Sequence, residues 1–406
     1  MRNARTAERG AALLIVTVAV AVLTALAADL AYEARVSLQI AANERNEVQA
    51  TYLAKSGVAL GRLVLSFQQE IDQLQAPVQG IPMPRPQLWK LVPVGPELAD
   101  ALLAGAPLAR PEKGAAPAAV PASGAFDVRI DDEGRKVNAQ LEAFNDTGNL
   151  LPAQVLALWQ LICDPKWDPL FDREDADGQR YSRADLLIDL RDWVDEDAVS
   201  SALSASFVPN SCQILVPQKP FESGFGDENR PYDRGDDRYR AKNARMDSLD
   251  ELYLVAGVGD AFMAAFGDQL TVYLARDEQQ NVNTTDPEQL RRLAQAMAEQ
   301  PPDQPKLDDP LTLALLQKAV VLKTFGGILT MSPAELAQMV QAVGITVDQA
   351  KVTGPSSPFT DSSKVFRLRS AGRVGDVNKT LDVIVRMDKA QGVVVTPGKI
   401  LHWREE

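Results

Sequence analysis

Histidine is all but missing from this chain: His402 is the only one among 406 residues. A triad or an imidazole zinc site needs its histidine beside a nucleophile or other ligands, and a terminal strand next to Trp403 signposts neither. GxSxG, the phosphate-binding GxxxxGK[ST] and a GxGxxG followed by an acidic residue are all lacking. Acid pairs such as Asp131-Asp132 fall in a turn and read as solvated. The chain therefore reads as a non-enzyme that requires no cofactor. Cysteine is scarce too: Cys163 and Cys212, with no CxxC. In an oxidising compartment the two can pair, and closing a loop of about fifty residues would contribute roughly 4 kcal/mol. The other reading is two separate buried thiols. Basic excess is absent, with 42 Lys and Arg against 55 Asp and Glu and a net charge of −13. That excludes the basic stripe that nucleic-acid phosphates need and suits a soluble body outside the cytoplasm. Apolar residues make up 46%, enough at this length for two or three domains with real cores.

Charge is also missing from Ala11 to Ala28, an apolar run that ends at Asp29. As a helix it spans roughly 27 Å, just enough for a thin bilayer core. Arg2, Arg5 and Arg9 precede it, opposed only by Glu8. That bias holds the N-terminus in the cytoplasm and sends the rest outward. No small-x-small cleavage site follows the run, so it is not an ordinary secretory signal. Residues 29–70 hold helix formers and no proline. Ala50, Leu53, Ala54, Gly57, Val58, Gly61, Val64 and Leu65 form a helical stripe, so a long helix with its outer half packed on something is expected.

Residues 76–124 are rich in Pro, Ala and Gly and read as loop, with a short helix around Leu91 to Leu103. From Ala125 the period changes to two: AFDVRI alternates, DDEG turns and RKVNAQLEAF continues, which predicts a hairpin with Gly134 at its turn. Residues 144–355 are mostly helical, including LPAQVLALWQLIC, RADLLIDLRDWVDED and PAELAQMVQAV. Ser248 and Glu251 make a capping box ahead of a helix, a Gly257-Val258-Gly259 turn and a second helix. Trp159, Trp167 and Trp193 cluster in this region and read as core. From Lys364 the period returns to two in VFRLRSAGRV, TLDVIVRM and GVVVTPGKILHW.

The short basic leader ending in Gly10, followed by the apolar run, resembles a type IV pilin. The resemblance implies cleavage between Gly10 and Ala11 by a prepilin peptidase, with Ala11 N-methylated. Pilin-like subunits carry Glu at the fifth mature position, where it meets a neighbour's N-terminal amine in the membrane; here that position is Ile15. A subunit with nothing above it would have no such amine to meet. The missing Glu and the great length resemble minor pseudopilin K of type II secretion systems, the general secretion pathway protein K family. Asp132, Glu133, Gly134, Lys136, Val137 and Asn138 resemble that family's DE-x-G-K-I-N-L-N stretch, and Met246 to Leu252 departs from its PLDSLDEL only at the first position.

The resemblance implies an α+β fold: a pilin-like long N-terminal helix packed on an antiparallel sheet that a large, mainly α-helical insertion (helix-hairpin-helix or SAM-like) splits. The expected divisions are leader 1–10, transmembrane segment 11–28, pilin-like body 29–143, insertion 144–360 and closing strands 361–406. The family also pairs D-W-x-D-x-D with G-x-E-D-x-x-Y and can hold Ca²⁺ there. Asp195, Asp197, Asp236 and Asp237 are the matching carboxylates, although GDDRY is shorter than the family spacing, and a solvated loop paired to Arg234 and Arg238 is the other reading. Asp172 to Gly178 resembles a calcium loop but fails it, with Arg173 at the first ligand position and Ala184 at the last.

The expected function is that of a minor pseudopilin at the tip of a type II secretion pseudopilus, needed for its assembly and for export of folded proteins across the outer membrane. The expected partners are minor pseudopilins of the I and J types, the major pseudopilin, prepilin peptidase, the inner-membrane assembly platform and secreted substrates, and no nucleic acid. The chain would cross the inner membrane once, with its body in the periplasm. A minor pilin of a type IV pilus is the alternative. A DNA-binding helix-hairpin-helix protein is disfavoured by the acids Asp250, Glu251, Asp260 and Asp268 around the glycine turn. In membranes that contain a prepilin peptidase, the N-terminal peptide should begin at N-methylated Ala11 by intact mass. A peptide that keeps Met1 to Gly10, or one cut after Ala28, would remove the pilin-like reading.

Overall fold

The protein is described by a computed structural model over residues 2–74, 84–91, 94–95, 98, 124–142, 151–171, 174, 178–208, 212–233, 238–299, 304–387 and 397–406, with side chains from Leu13 onward except at 73, 74, 304 and 305. The main helices are α1 (Arg2–Leu74), α2 (Leu151–Ile162), α3 (Arg183–Asp192), α4 (Asp260–Phe266), α5 (Pro287–Met297), α6 (Pro310–Lys323) and α7 (Pro333–Ala342). The strands that matter are β1 (Ala125–Asp132), β2 (Val137–Asn138), β3 (Val199–Leu203), β4 (Phe221–Asp227), β5 (Leu270–Thr271), β6 (Val365–Val374), β7 (Val377–Arg386) and β8 (Lys399–Glu405).

Helix α1 is 73 residues long, about 110 Å at 1.5 Å per residue. Its most apolar stretch has none of its surface buried by the rest of the chain. From Ala50 the small residues of the stripe let it settle on a sheet, and Ala50, Ala54, Val58 and Leu65 are buried. The sheet is antiparallel, in the order β1-β6-β7-β8. Ser370 Oγ donates to the Ala54 carbonyl at 2.8 Å. Gly372 lies so close under the helix that a Cβ there would run into the backbone of Ala50 and Ala54. This is the long helix on a split antiparallel sheet that the sequence predicts.

The expected hairpin at Gly134 does not form. β1 instead pairs along its whole length with β6. The chain then makes a single 3-10 turn, Glu133–Arg135, and β2 runs parallel to β5 inside the insertion. The reason is Glu133. Its side chain is fully buried, with Lys136 Nζ at 2.7 Å and Arg367 Nε at 2.9 Å, and Arg367 Nη1 also reaches Asp382 at 3.1 Å. A carboxylate that needs a cation from β6 cannot sit at a solvated hairpin tip.

The insertion has two cores. The first gathers α2, α3 and α4 around Leu158, Leu187, Trp193 and Phe266, and Cys163 and Cys212 are bonded within it, their Cα atoms 5.2 Å apart. The second gathers α5, α6 and α7 with Phe359. Capping boxes start α3 (Ser182, Asp185) and α7 (Ser332, Glu335). The Ser248–Glu251 box heads a 3-10 helix, Leu249–Leu254, rather than an α-helix. The second core is tied to the far end of α1: Gln87 N donates to Ile328 O at 2.7 Å, and Leu88 N donates to Gln68 Oε1 at 2.8 Å. The short helix expected around Leu91 to Leu103 lies mostly outside the described residues.

Burial raises the Glu133 pKa, but Lys136 and Arg367 outweigh it and hold the carboxyl below its usual range. A lowered pKa contributes stability that is present above the unfolded value of about 4.3 and is lost as pH falls through the folded one. Arg367→Leu should cost about 3–5 kcal/mol at pH 7. In that variant burial dominates and the Glu133 pKa rises, so the deficit should shrink towards pH 5. Urea titrations of the full chain at both pH values check this; a deficit that stays constant would show that Glu133 does not depend on Arg367.

Candidate metal centre

Helix α3 buries Leu186, Leu187 and Leu190 in the first core and ends at Asp192. Just past that end Trp193 is buried, edge-on to Tyr232 with ring centroids 5.4 Å apart. The chain then turns through Asp195 and Asp197 into β3. β3 pairs antiparallel with β4, with Val199 opposite Asp227. That register sets the residues just before β3 beside the residue just after β4. Asp195, Asp197 and Glu228 thereby offer carboxylate oxygens that all lie within 4.8 Å of one another.

Asp195 is 7% exposed and Glu228 1%, while Asp197 is open to solvent. Arg191 Nη2 lies 3.3 Å from Asp195 Oδ2. Asn243, in the left-handed region at φ 51°, donates from Nδ2 to Glu228 Oε1 and to the Asp197 carbonyl, both at 2.7 Å. Asp195 Oδ1, Glu228 Oε2 and Asn243 Oδ1 are buried without a hydrogen-bond partner. Burial pushes Asp195 up to about 6, with Asp192 and Asp197 adding to it and Arg191 opposing. Burial, then the charges of Asp195, Asp192 and Asp197, pushes Glu228 up to about 7 against the Asn243 hydrogen bond.

Carboxylates this close repel, and burial removes the water that would screen them. A divalent cation relieves both. The donors are all oxygen, which suits a hard ion such as Ca²⁺ over zinc. The unpartnered buried oxygens of Asp195 and Glu228 are the lone pairs such an ion would use, so the residues present fit the group.

Of the carboxylates singled out from sequence, Asp195 and Asp197 come together here; Asp236 and Asp237 lie outside the described residues. Glu228 was missed. A signal was there: Gly226-Asp227-Glu228-Asn229-Arg230-Pro231-Tyr232 keeps the full G-x-E-D-x-x-Y spacing with Asn229 as its one departure, so the pattern belongs here rather than on GDDRY, and the β3–β4 register carries Glu228 to Asp195. In the Asp172 to Gly178 run, Glu174 pairs with Arg180 at 3.3 Å. Gly10 and Ala11 lie in the helical backbone of α1.

No family model and no curated protein matches this chain. A solved structure does: a chain of the GspK-GspI-GspJ complex of the type 2 secretion system of enterotoxigenic Escherichia coli, 15% identical, with a TM-score of 0.50 over 90% of this chain and 99% of that one. The fold is GspK-like.

Within this GspK-like fold the helix-Gly-helix unit is a packing element. Val255, Val258, Phe262 and Phe266 are buried. Gly257, at φ +80°, lies against the Tyr181 ring. Asp250 pairs with Arg404 of β8 at 3.1 Å, and Glu251 with Lys242 at 2.8 Å. All three tryptophans belong to the first core, as expected, each against a different ring: Trp159 meets Phe207, Trp167 meets Phe266 and Trp193 meets Tyr232. His402 lies beside Tyr273, ring centroids 5.6 Å apart.

Proposed function

We propose that the chain is a minor pseudopilin at the tip of a type II secretion pseudopilus, anchored once in the inner membrane with its body in the periplasm. The observation that carries this reading is α1. Its apolar half is left bare by the rest of the chain, while its outer half is a seam of a GspK-like body. A bare helix of this kind needs lipid or other helices around it. The two-core insertion sits at the far end of α1, where it would block stacking of a further subunit. Ile15, in place of a carboxylate, supports the top position. GspK, GspI and GspJ occur together in the Escherichia coli complex, which supports partners of the I and J types here. The major pseudopilin, prepilin peptidase, the inner-membrane assembly platform and secreted substrates complete the proposed set. The role is structural rather than enzymatic.

Deletion of the gene should leave folded hydrolases in the periplasm, and the tagged full chain should pull down two smaller minor pseudopilins. Lost twitching with intact export would instead point to a type IV pilus.

We also propose that Asp195, Asp197 and Glu228 hold Ca²⁺ and thereby clamp the base of the β3–β4 ribbon. In detergent, calcium at about a hundred times its Kd should stabilise the full chain by about 2.7 kcal/mol. Asp195→Asn with Glu228→Gln should remove that response. An undiminished response in the double variant, or an equal one to Mg²⁺, would refute the site.

A further inference from the structure

Helix α6 is apolar on two opposite faces. Leu316 and Val320 are buried in the second core, and Thr324, at the helix end, is buried on the same side. Opposite them, Leu311 is 67% exposed, Leu315 53%, Leu322 68% and Phe325 70%. Ala314 and Lys318, both exposed, complete that side. At 100° per residue Leu311, Ala314, Leu315, Lys318 and Leu322 share an arc of about 100°. A helix that is apolar all round is normally covered all round, and a contiguous exposed apolar stripe marks an interaction site.

The end of the stripe is built with the same outcome. After Lys323 the chain leaves the helix through Phe325, Gly326 and Gly327, at φ 49°, 74° and 88°. Gly326 N donates to Val321 O at 2.8 Å and Gly327 N to Thr324 O at 3.1 Å, closing the helix end. Left-handed positions of this kind go to glycine or asparagine. Here a phenylalanine takes the first one and holds its ring in water at the end of the stripe, a strained arrangement of the sort kept at binding sites.

Lys318 selects the occupant. It lies midway along the stripe, between Leu311 and Phe325. A second copy packed antiparallel on α6 would set Lys318 against its own twin, a like-charge contact. Lipid around the anchor is out of reach, because the second core is fixed to the Leu74 end of α1, roughly 70 Å of helix beyond Ala28. We propose that this face docks an amphipathic helix of another protein, one whose apolar stripe carries a carboxylate at its centre opposite Lys318.

The test uses the full chain in detergent and two synthetic helical peptides with identical leucine stripes, one with a central Glu and the other with a central Lys. The Glu peptide should bind about tenfold more tightly than the Lys peptide. Leu322→Asp should abolish binding without moving the thermal midpoint, since Leu322 is exposed, and Lys318→Glu should reverse the preference between the peptides. If Leu322→Asp fails to fold, the reversal by Lys318→Glu carries the test. Equal binding of the two peptides, or binding that survives Leu322→Asp, would overturn the proposal. Self-association lost in Leu322→Asp would assign the face to a second copy, and binding to anionic lipid vesicles lost in the same variant would assign it to lipid; either would overturn it too.

Discussion

The fold depends on one buried carboxylate. Glu133 is fully enclosed, and its two cations come from different parts of the chain: Lys136 from the same turn, and Arg367 from 234 residues away. The neighbours on either side share the task. Asp132 accepts from Gly134 N at 2.8 Å and from Asn281 Nδ2 at 2.9 Å. Sheet, first insertion core and second core therefore meet at one turn of three residues. Burying these charges costs energy, and pairing them offsets it only in one geometry. The cluster thus acts as a register pin: β6 cannot slip against β1 without parting Arg367 from Glu133.

The second constraint is closeness. Gly372 lies beneath Ala50 and Ala54, and Gly57 of α1 lies over Ser370, with no room for a side chain at either glycine. Such contacts hold α1 flat on the sheet over its outer half only. Below Ala50 the helix runs on with Leu38, Ile40 and Val48 exposed. The same helix therefore serves two environments, and the change from small, buried residues to bare apolar ones marks where the body ends.

Much of this was legible in the sequence, because periodicity reports burial on a local scale. The stripe on α1 and the alternation in β6 and β7 are short-range signals. What failed was partner choice. DDEG reads as a turn between two strands, and only the distant Arg367 explains why β1 does not fold back. Glu228 was legible but misassigned: its neighbours Gly226 to Tyr232 keep the G-x-E-D-x-x-Y spacing with one change, whereas GDDRY does not, and the β3–β4 register then explains how it reaches Asp195. α6 was legible as a helix, but its two apolar faces look like one well-buried element until the core takes only one of them.

The split sheet also constrains the order in which the chain can fold. The Ser370–Ala54 contact spans 316 residues. Loop-closure entropy grows slowly, by about 0.6 kcal/mol per doubling of length, so the span itself is affordable. The difficulty is that β1, once made, has an open edge until β6 arrives, and open edges pair promiscuously. An insertion that folds first removes the difficulty by bringing the ends of β1 and β6 together. Its contents suit that role: short capped helices, local contacts and a disulfide that spans 49 residues within the first core. Asn281, inside the insertion, then presents its amide to Asp132, and Arg367 follows just after the second core closes at Phe359. On this argument the insertion is the template on which the pilin-like sheet is completed, and α1 waits for that sheet before its outer half has anything to pack against.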